Sequence, residues 1–472
     1  MTKKIEVIIK AIRDNRLFYV FFFLLFLINM AWLAAFWPGL LSVDSIYHWK
    51  QASTLVFDGI TPYIYTVIII VLRRIFDSPA SVAIFQVITS SLIISYFLNT
   101  FVKNNNLKRA SVYLLFSIYI IIPVFAIYNI TLWKDALFAQ GILLLSLLWV
   151  MASISKKSPI RDNRRLILMA LLVTFVSLIR LNGIIYLGIV PLTYLFLEKK
   201  GRVLVFTGLL LSFYVLFSVL TPRVLRVDNQ RAGFFSEANK IQMLSSVIKH
   251  EGYISDYDKG IISKIMPIEE FRRRYHCSAI DYLYIDNSPF NEKVFYDATY
   301  SKEFNQTFQR IFLNNIGSSL LDRACLLQYS MGLGEQKYQY YYQLVIPQND
   351  FGIRSGGLPL FRQYASRYLD WTTHQPQVYL FWFNLVYVLI FVIYSFKALF
   401  RRNYIFLIFA FYVLVNIPAL LVFGVARDFR YYFMVIYSIP FAPIIYALGD
   451  KFPWEFPKRY GRANSVARSD KS

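Results

Sequence analysis

Residues 17–52 read LFYVFFFLLFLINMAWLAAFWPGLLSVDSIYHWKQA. The first 21, Leu17 to Trp37, carry no charge, and about 20 apolar residues are what a helix needs to cross the hydrocarbon core of a bilayer. The run is too long for a signal-peptide core and no small-residue cleavage site follows it, so it reads as a retained helix. At Pro38 the pattern changes. Asp44 opens a stretch in which Ile46, Trp49, Ala52 and Val56 recur at helical spacing. The sequence thus places an aspartate and a half-apolar helix just outside the first crossing.

Working outward, the same apolar pattern repeats. The chain has 472 residues, 57% of them hydrophobic and 18% aromatic, which excludes a soluble domain. Spans in lipid must satisfy their own backbone hydrogen bonds, so they are helical. The expected fold is an all-α polytopic membrane protein with about ten transmembrane helices, near 17–37, 80–101, 110–127, 136–154, 166–179, 184–197, 203–221, 377–398, 404–423 and 431–449. The fifth and sixth are short and nearly continuous. The formal charge of +22 does not point to nucleic acid, because the basic residues sit in short clusters between apolar runs. Of the 50 Lys and Arg, 25 fall in the N-terminal tail and in the segments after alternate spans. By the positive-inside rule that side is the cytoplasm, and both termini lie there.

The stretch Pro62 to Phe76 is apolar but only about 15 residues long, short for a crossing. A crossing there would also invert the charge pattern. Asp44 to Phe76 therefore reads as juxtamembrane helices resting on the outer face. The resulting organisation is an N-terminal membrane module 1–221 whose first outer loop is 38–79, an extracytoplasmic and mostly helical domain 222–376, a C-terminal membrane module 377–449, and a basic cytoplasmic tail 450–472. The outer domain is nearly neutral, with 18 Lys and Arg against 16 Asp and Glu. Cys277 and Cys325 lie in it. Spacing leaves two readings open, a disulfide in an oxidising compartment or two free thiols.

Seven cations remain: Lys50, Arg73, Arg74, Lys134, Arg180, Arg427 and Arg430. All sit at or near the outer ends of spans, beside Asp44, Asp58, Asp77, Asp135 and Asp428. A charge at span depth costs about 2.5–3.5 kcal/mol, so each needs a reason. Plain structural reasons exist for several. Asp44 or Ser42 can cap the helix that starts there, Asp135 can cap the fourth span, Lys134 can snorkel, and Asn182 can cap the helix after Arg180. Arg427, Asp428 and Arg430 can form a surface ion pair. The four histidines, His48 included, have no metal-site spacing and read as surface or interface residues. What argues for function is coincidence of place. Arginine and lysine bind phosphate, bidentately and as a point charge, and an aspartate suits a sugar hydroxyl. The apolar helix 62–76 offers a wall for a lipid chain.

Four motifs stand in order along the chain: PGLLSVDSIYHWKQA from Pro38, WKDALF from Trp133, RLNG from Arg180 and DFRY from Asp428. Together they resemble a bacterial branch of the GT-C superfamily, polytopic membrane glycosyltransferases that use polyprenyl-phosphate sugars, nearest to O-antigen-modifying, serotype-converting glucosyltransferases. The resemblance spans Pro38 to Tyr431. It implies a periplasmic active site in an inner membrane, a polyprenyl-phosphate sugar donor and a lipid-linked, O-antigen-like glycan acceptor among membrane lipids. It puts Asp44, Asp58 and Asp135 in catalytic positions and Lys134, Arg180, Asn182, Arg427, Asp428, Arg430 and Lys50 around the substrates. Direct displacement by the acceptor would invert the anomeric centre. Where many relatives have His-Pro or Pro-Pro, this chain has Thr61–Pro62 after Asp58. No adjacent acidic pair stands in the first loop, so a divalent cation is left open rather than implied. An O-antigen polymerase or ligase is the alternative reading and a transporter the next. Neither needs a first-loop aspartate followed by juxtamembrane helices, and no repeat of the transporter kind is present.

Overall fold

A computed structural model describes residues 15–103, 109–228, 232–335, 339 and 341–452. Most of the N-terminal basic tail, Lys108, and Lys337, Tyr338 and Tyr340 of the KYQYYYQ run lie outside the described residues, as does the C-terminal tail beyond Phe452.

The described chain is helical, with three isolated β-bridges and no strand. Among the described residues six helices are long and apolar enough to cross a membrane: Arg16–Ala35, Pro79–Lys103, Lys134–Ser155, Lys200–Val224, Tyr404–Val422 and Phe429–Lys451. A seventh forms if Ala110–Ile121 and Pro123–Ile130, bent by 58°, count as one span. The break falls at Pro123, which lacks the N–H an uninterrupted helix needs. The fold is that of a helical membrane protein. Its apolar core runs from Phe21 through Leu448.

The ends of the bundle differ. At one end, basic segments meet in pairs: Lys103 Nζ bonds Asn15 at 2.7 Å, Arg202 Nε the Ile160 carbonyl at 2.9 Å, and Arg401 pairs with Asp450 at 3.0 Å. At the other end, the chain leaving the first long helix forms a platform. Two short helices, Val43–Thr54 and Tyr63–Ile75, lie there, as the first loop predicts. The platform is pinned by backbone: Leu40 N–H donates to the Ile130 carbonyl at 3.0 Å and Leu132 N–H to the Leu40 carbonyl at 2.9 Å. Gly39 permits this approach, since its φ is +116° and a Cβ would stand 2.9 Å from the Ile130 oxygen. Beneath, Gln86 donates to the carbonyls of Asn129 and Thr131 at 3.0 and 2.8 Å, and Gln140 to Asn129 Oδ1 at 3.1 Å. These buried amides satisfy the irregular backbone before Lys134.

A second, smaller core is built from Phe234 to Ile311, with Phe271, Phe295 and Phe304 at its centre. The helix Ile316–Ser330 packs on it, with the Tyr275 hydroxyl on Asp322 at 2.8 Å, but the segment beyond belongs to the bundle. Tyr341 and Tyr342 pack tilted against Trp382, ring centres 5.4 and 5.1 Å apart, and Pro359–Thr373 lies along the first long helix. The second core is tied to the bundle end by an antiparallel bridge, Ala279 to Ala426, with Ile280 N–H on the Val425 carbonyl at 2.9 Å. Cys277 and Cys325 form a disulfide, which settles the pairing left open by sequence.

Candidate active site

A cavity of about 290 Å³ opens between the platform, the bundle end and the second core. Each charged side chain in it has a local reason for its place.

Asp44 stands in the first turn of Val43–Thr54. The cap of that helix is Ser42, not Asp44. Ser42 N–H donates to Ser45 Oγ at 3.0 Å and Ser45 N–H to Ser42 Oγ at 3.4 Å. The Asp44 carboxylate is therefore left for another partner, and Arg430 meets it at 2.8 Å. Arg430 also holds Asp428 through two nitrogens, at 2.8 and 2.9 Å. Its guanidinium lies 4.9 Å from the Trp133 ring centre. Trp133 is itself anchored to the platform by its indole N–H on Ser42 Oγ at 2.8 Å. The neighbouring Arg430 cation, helped by Lys134, holds the Asp44 carboxyl far below the usual carboxylate range against the opposing effect of burial.

Asp135 is 3% exposed and caps nothing; it pairs with Arg180. Arg180 ends the helix Asn163–Ile179 in extended backbone, and a 3₁₀ turn follows over Leu181–Ile185. Gly183 is required here, because a Cβ would sit 2.6 Å from the Val176 carbonyl oxygen. Asn182 does not cap either: its amide donates to Asn416 Oδ1 at 3.1 Å. The Tyr431 ring lies 4.8 Å from the Arg180 guanidinium and 5.6 Å from that of Arg430. Lys134 lines the cavity beside these pairs and makes no hydrogen bond or ion pair among the described residues. Its ammonium is the cation free to meet an incoming anion.

The structure thus brings together Asp44, Lys134, Asp135, Arg180, Asn182, Asp428 and Arg430. It does not bring Asp58, Lys50 or Arg427 to the cavity wall. Asp58 organises the loop between the platform helices, accepting from Tyr47, from Gln51 at 3.2 Å and from the Ile60 N–H at 3.1 Å. That loop delivers Thr61 and Pro62 to the wall, with Thr61 held by Gln51 at 3.1 Å. Lys50 is exposed. Arg427 faces the Tyr282 ring at 5.8 Å.

Three features escaped the sequence reading. His48 is not a surface residue but 1% exposed. One helical turn beyond Asp44, it bonds Thr66 Oγ1 at 2.8 Å through Nδ1 and packs edge-on to Tyr65. Burial, with Lys134 adding and Asp44 opposing, pushes its pKa down to about 3. The second core contributes Asp281 and Tyr284, joined by a hydrogen bond, and Phe234 and Phe235 beside them. Nothing in the stretch AIDYLYID marks it as a site. Burial raises the Asp281 pKa, and the charges of Asp428 and Asp44 raise it further.

The donor set does not suit a divalent cation. Asp44, Asp135 and Asp428 are each engaged by an arginine. Among the described residues no three His, Cys, Asp or Glu side chains gather as metal ligands do. The arrangement suits an anion better: two guanidiniums held by carboxylates and a lysine with no hydrogen bond or ion pair among the described residues share a cavity also lined by Leu181, Phe234, Phe235 and Leu420. Compared with known proteins, the chain matches no family model, no curated protein and no solved structure.

Proposed function

We propose that the protein is a membrane glycosyltransferase that moves one sugar from a polyprenyl-phosphate donor to a lipid-linked glycan on the outer face of a bacterial inner membrane. The observation that carries this reading is the convergence of Asp44, Lys134, Asp135, Arg180, Asp428 and Arg430, from four separate segments, into one cavity at the end of the bundle opposite the basic clusters. Charge at that depth is retained only for a reason. A lipid phosphate supplies one, since it needs cations at the bilayer surface and an apolar exit for its chain.

In this reading the bent pair Ala110–Ile121 and Pro123–Ile130, with the shorter helices Asn163–Ile179, Leu181–Tyr194 and Asn384–Phe400, completes ten crossings with both termini inside. The Cys277–Cys325 disulfide supports an oxidising location for the second core. Lys134, Arg180 and Arg430 bind the donor phosphate and stabilise the polyprenyl phosphate as it leaves. Asp44 fixes Arg430 and orients the acceptor hydroxyl. Attack from the side opposite the phosphate inverts the anomeric carbon.

The test is transfer of label from a radiolabelled polyprenyl-phosphate hexose into membrane glycan, with wild type and Asp44→Asn at equal abundance. Transfer by the wild type and its loss in Asp44→Asn is the expected result. Equal transfer by both would remove Asp44 from the site. No transfer by the wild type would favour the polymerase or ligase reading.

A further inference from the structure

The carboxylates on the bundle side of the cavity share one property. Each is bound to an arginine: Asp44 at 2.8 Å, Asp428 through two contacts, Asp135 to Arg180. An anion stabilised in this way is a weak proton acceptor. Asp281 differs. It comes from the second core, is open to the cavity, and makes no ion pair among the described residues. One carboxylate oxygen accepts from the Tyr284 hydroxyl, while Oδ2 accepts no hydrogen bond there. Its backbone is held against the bundle by the Ile280–Val425 hydrogen bond at 2.9 Å and the adjoining bridge.

We propose that Asp281 is a catalytic residue, the carboxylate that takes the proton of the acceptor hydroxyl. The inference rests on the sugar-transfer reading above and deepens it by assigning the acceptor to the second-core side and the donor phosphate to the bundle side. In the step, Asp281 receives the hydroxyl proton and the hydroxyl oxygen forms the new bond to the anomeric carbon. The bond from that carbon to the phosphate oxygen breaks, and its electron pair leaves on the polyprenyl phosphate beside Lys134, Arg180 and Arg430. The acid on one wall and the cations on the other are thus each set where charge changes. The charged and titratable groups facing Asp281 are Tyr284 on its own helix, Arg427 and Asp428 on the loop before the last long helix, and Asp44 on the platform. Protein around the carboxyl strips it of water even though it opens on the cavity, so its proton affinity lies above that of an ordinary aspartate. That favours a general base.

The experiment uses the full chain in native membranes with radiolabelled polyprenyl-phosphate glucose, comparing wild type, Asp281→Asn, Asp281→Glu and Tyr284→Phe. Asp281→Asn is expected to lower kcat by about 100-fold or more with the donor KM unchanged, and Asp281→Glu to restore part of it. The wild-type rate should fall at acid pH as Asp281 protonates, and the residual rate of Asp281→Asn should lack that limb. Tyr284→Phe removes a hydrogen bond that favours the carboxylate, so its acid limb should move to higher pH. This variant keeps the proposal testable if Asp281→Asn does not fold. Wild-type turnover by Asp281→Asn, or an acid limb unmoved in Tyr284→Phe, would overturn the assignment while leaving sugar transfer standing. Failure of the wild type to move label would overturn the transfer reading, and this proposal with it.

Discussion

The bundle wall of the cavity and the wall lent by the second core handle charge in opposite ways. On the bundle wall, Arg430 sits between Asp44 and Asp428 and Arg180 sits on Asp135. Arg180 and Asp135 are 9% and 3% exposed. On the other wall, Asp281 has a tyrosine for a partner and Oδ2 free of hydrogen bonds among the described residues. Closed ion pairs fix cations in place before any ligand arrives, at the cost of desolvating their buried members, Arg180 and Asp135 above all. An open carboxylate remains able to change its protonation. One wall is suited to hold charge and the other to move it.

The contrast breaks most easily at Arg430. Arg430→Ala strands Asp44 and Asp428 together, and leaving half-buried polar groups without their partner costs about 1–3 kcal/mol. The thermal midpoint in detergent should fall steeply and transfer should vanish. Arg430→Lys should recover little, since an ammonium cannot reproduce the fork that spans two carboxylates. An unchanged midpoint in Arg430→Ala would show the triad to be loosely held.

The disulfide separates the walls next. Replacing both Cys277 and Cys325 by Ser opens a covalent loop with a sequence separation of 48, which should destabilise the second core by about 2–4 kcal/mol. Transfer should drop severalfold while polyprenyl-phosphate binding to the bundle wall is retained. Loss of both together would mean the walls fold as one unit. Gly183→Ala acts on the bundle wall alone. Its methyl would meet the Val176 carbonyl at 2.6 Å, costing about 1–3 kcal/mol and shifting Arg180. Here kcat/KM for the donor should fall, and an unchanged kcat/KM would place Arg180 away from the phosphate.

The smallest effect concerns the platform. His48 is neutral in the folded protein, with its pKa pushed down to about 3. An unfolded histidine takes up its proton near pH 6.5, so stability is constant above that value and declines as pH falls from 6.5 toward 3. Between pH 6.5 and 5 the loss should be about 1–2 kcal/mol. His48→Gln should flatten that slope in an unfolding series, and an identical slope would assign it to other groups.

Much of the bundle wall was legible in the sequence, for a physical reason. Asp135, Arg180 and Arg430 stand against long apolar runs, where a charge is conspicuous. Asp44 was visible because an amphipathic helix begins there. Spacing could not tell which charges turn inward. Asp58, Lys50 and Arg427 are as close in sequence, yet Asp58 closes its own loop. Asp281 carried no contrast, being one acidic residue among 16 in a nearly neutral region. The third span was expected as a single helix, and the bend at Pro123 shows where local proline chemistry overrides an apolar run.

A second groove gives the central claim a competitor. It measures about 380 Å³ between Trp32 and Ala35 on one side and Phe361, Tyr364 and Tyr368 on the other, and no charged residue lines it among the described residues. A lipid phosphate should avoid it. The direct test is photolabelling with a polyprenyl phosphate that carries a diazirine on the isoprene unit next to the phosphate, followed by peptide mapping. Label is expected on the peptides holding Leu181 and Phe234–Phe235. Label confined to the Trp32–Tyr364 groove would contradict it.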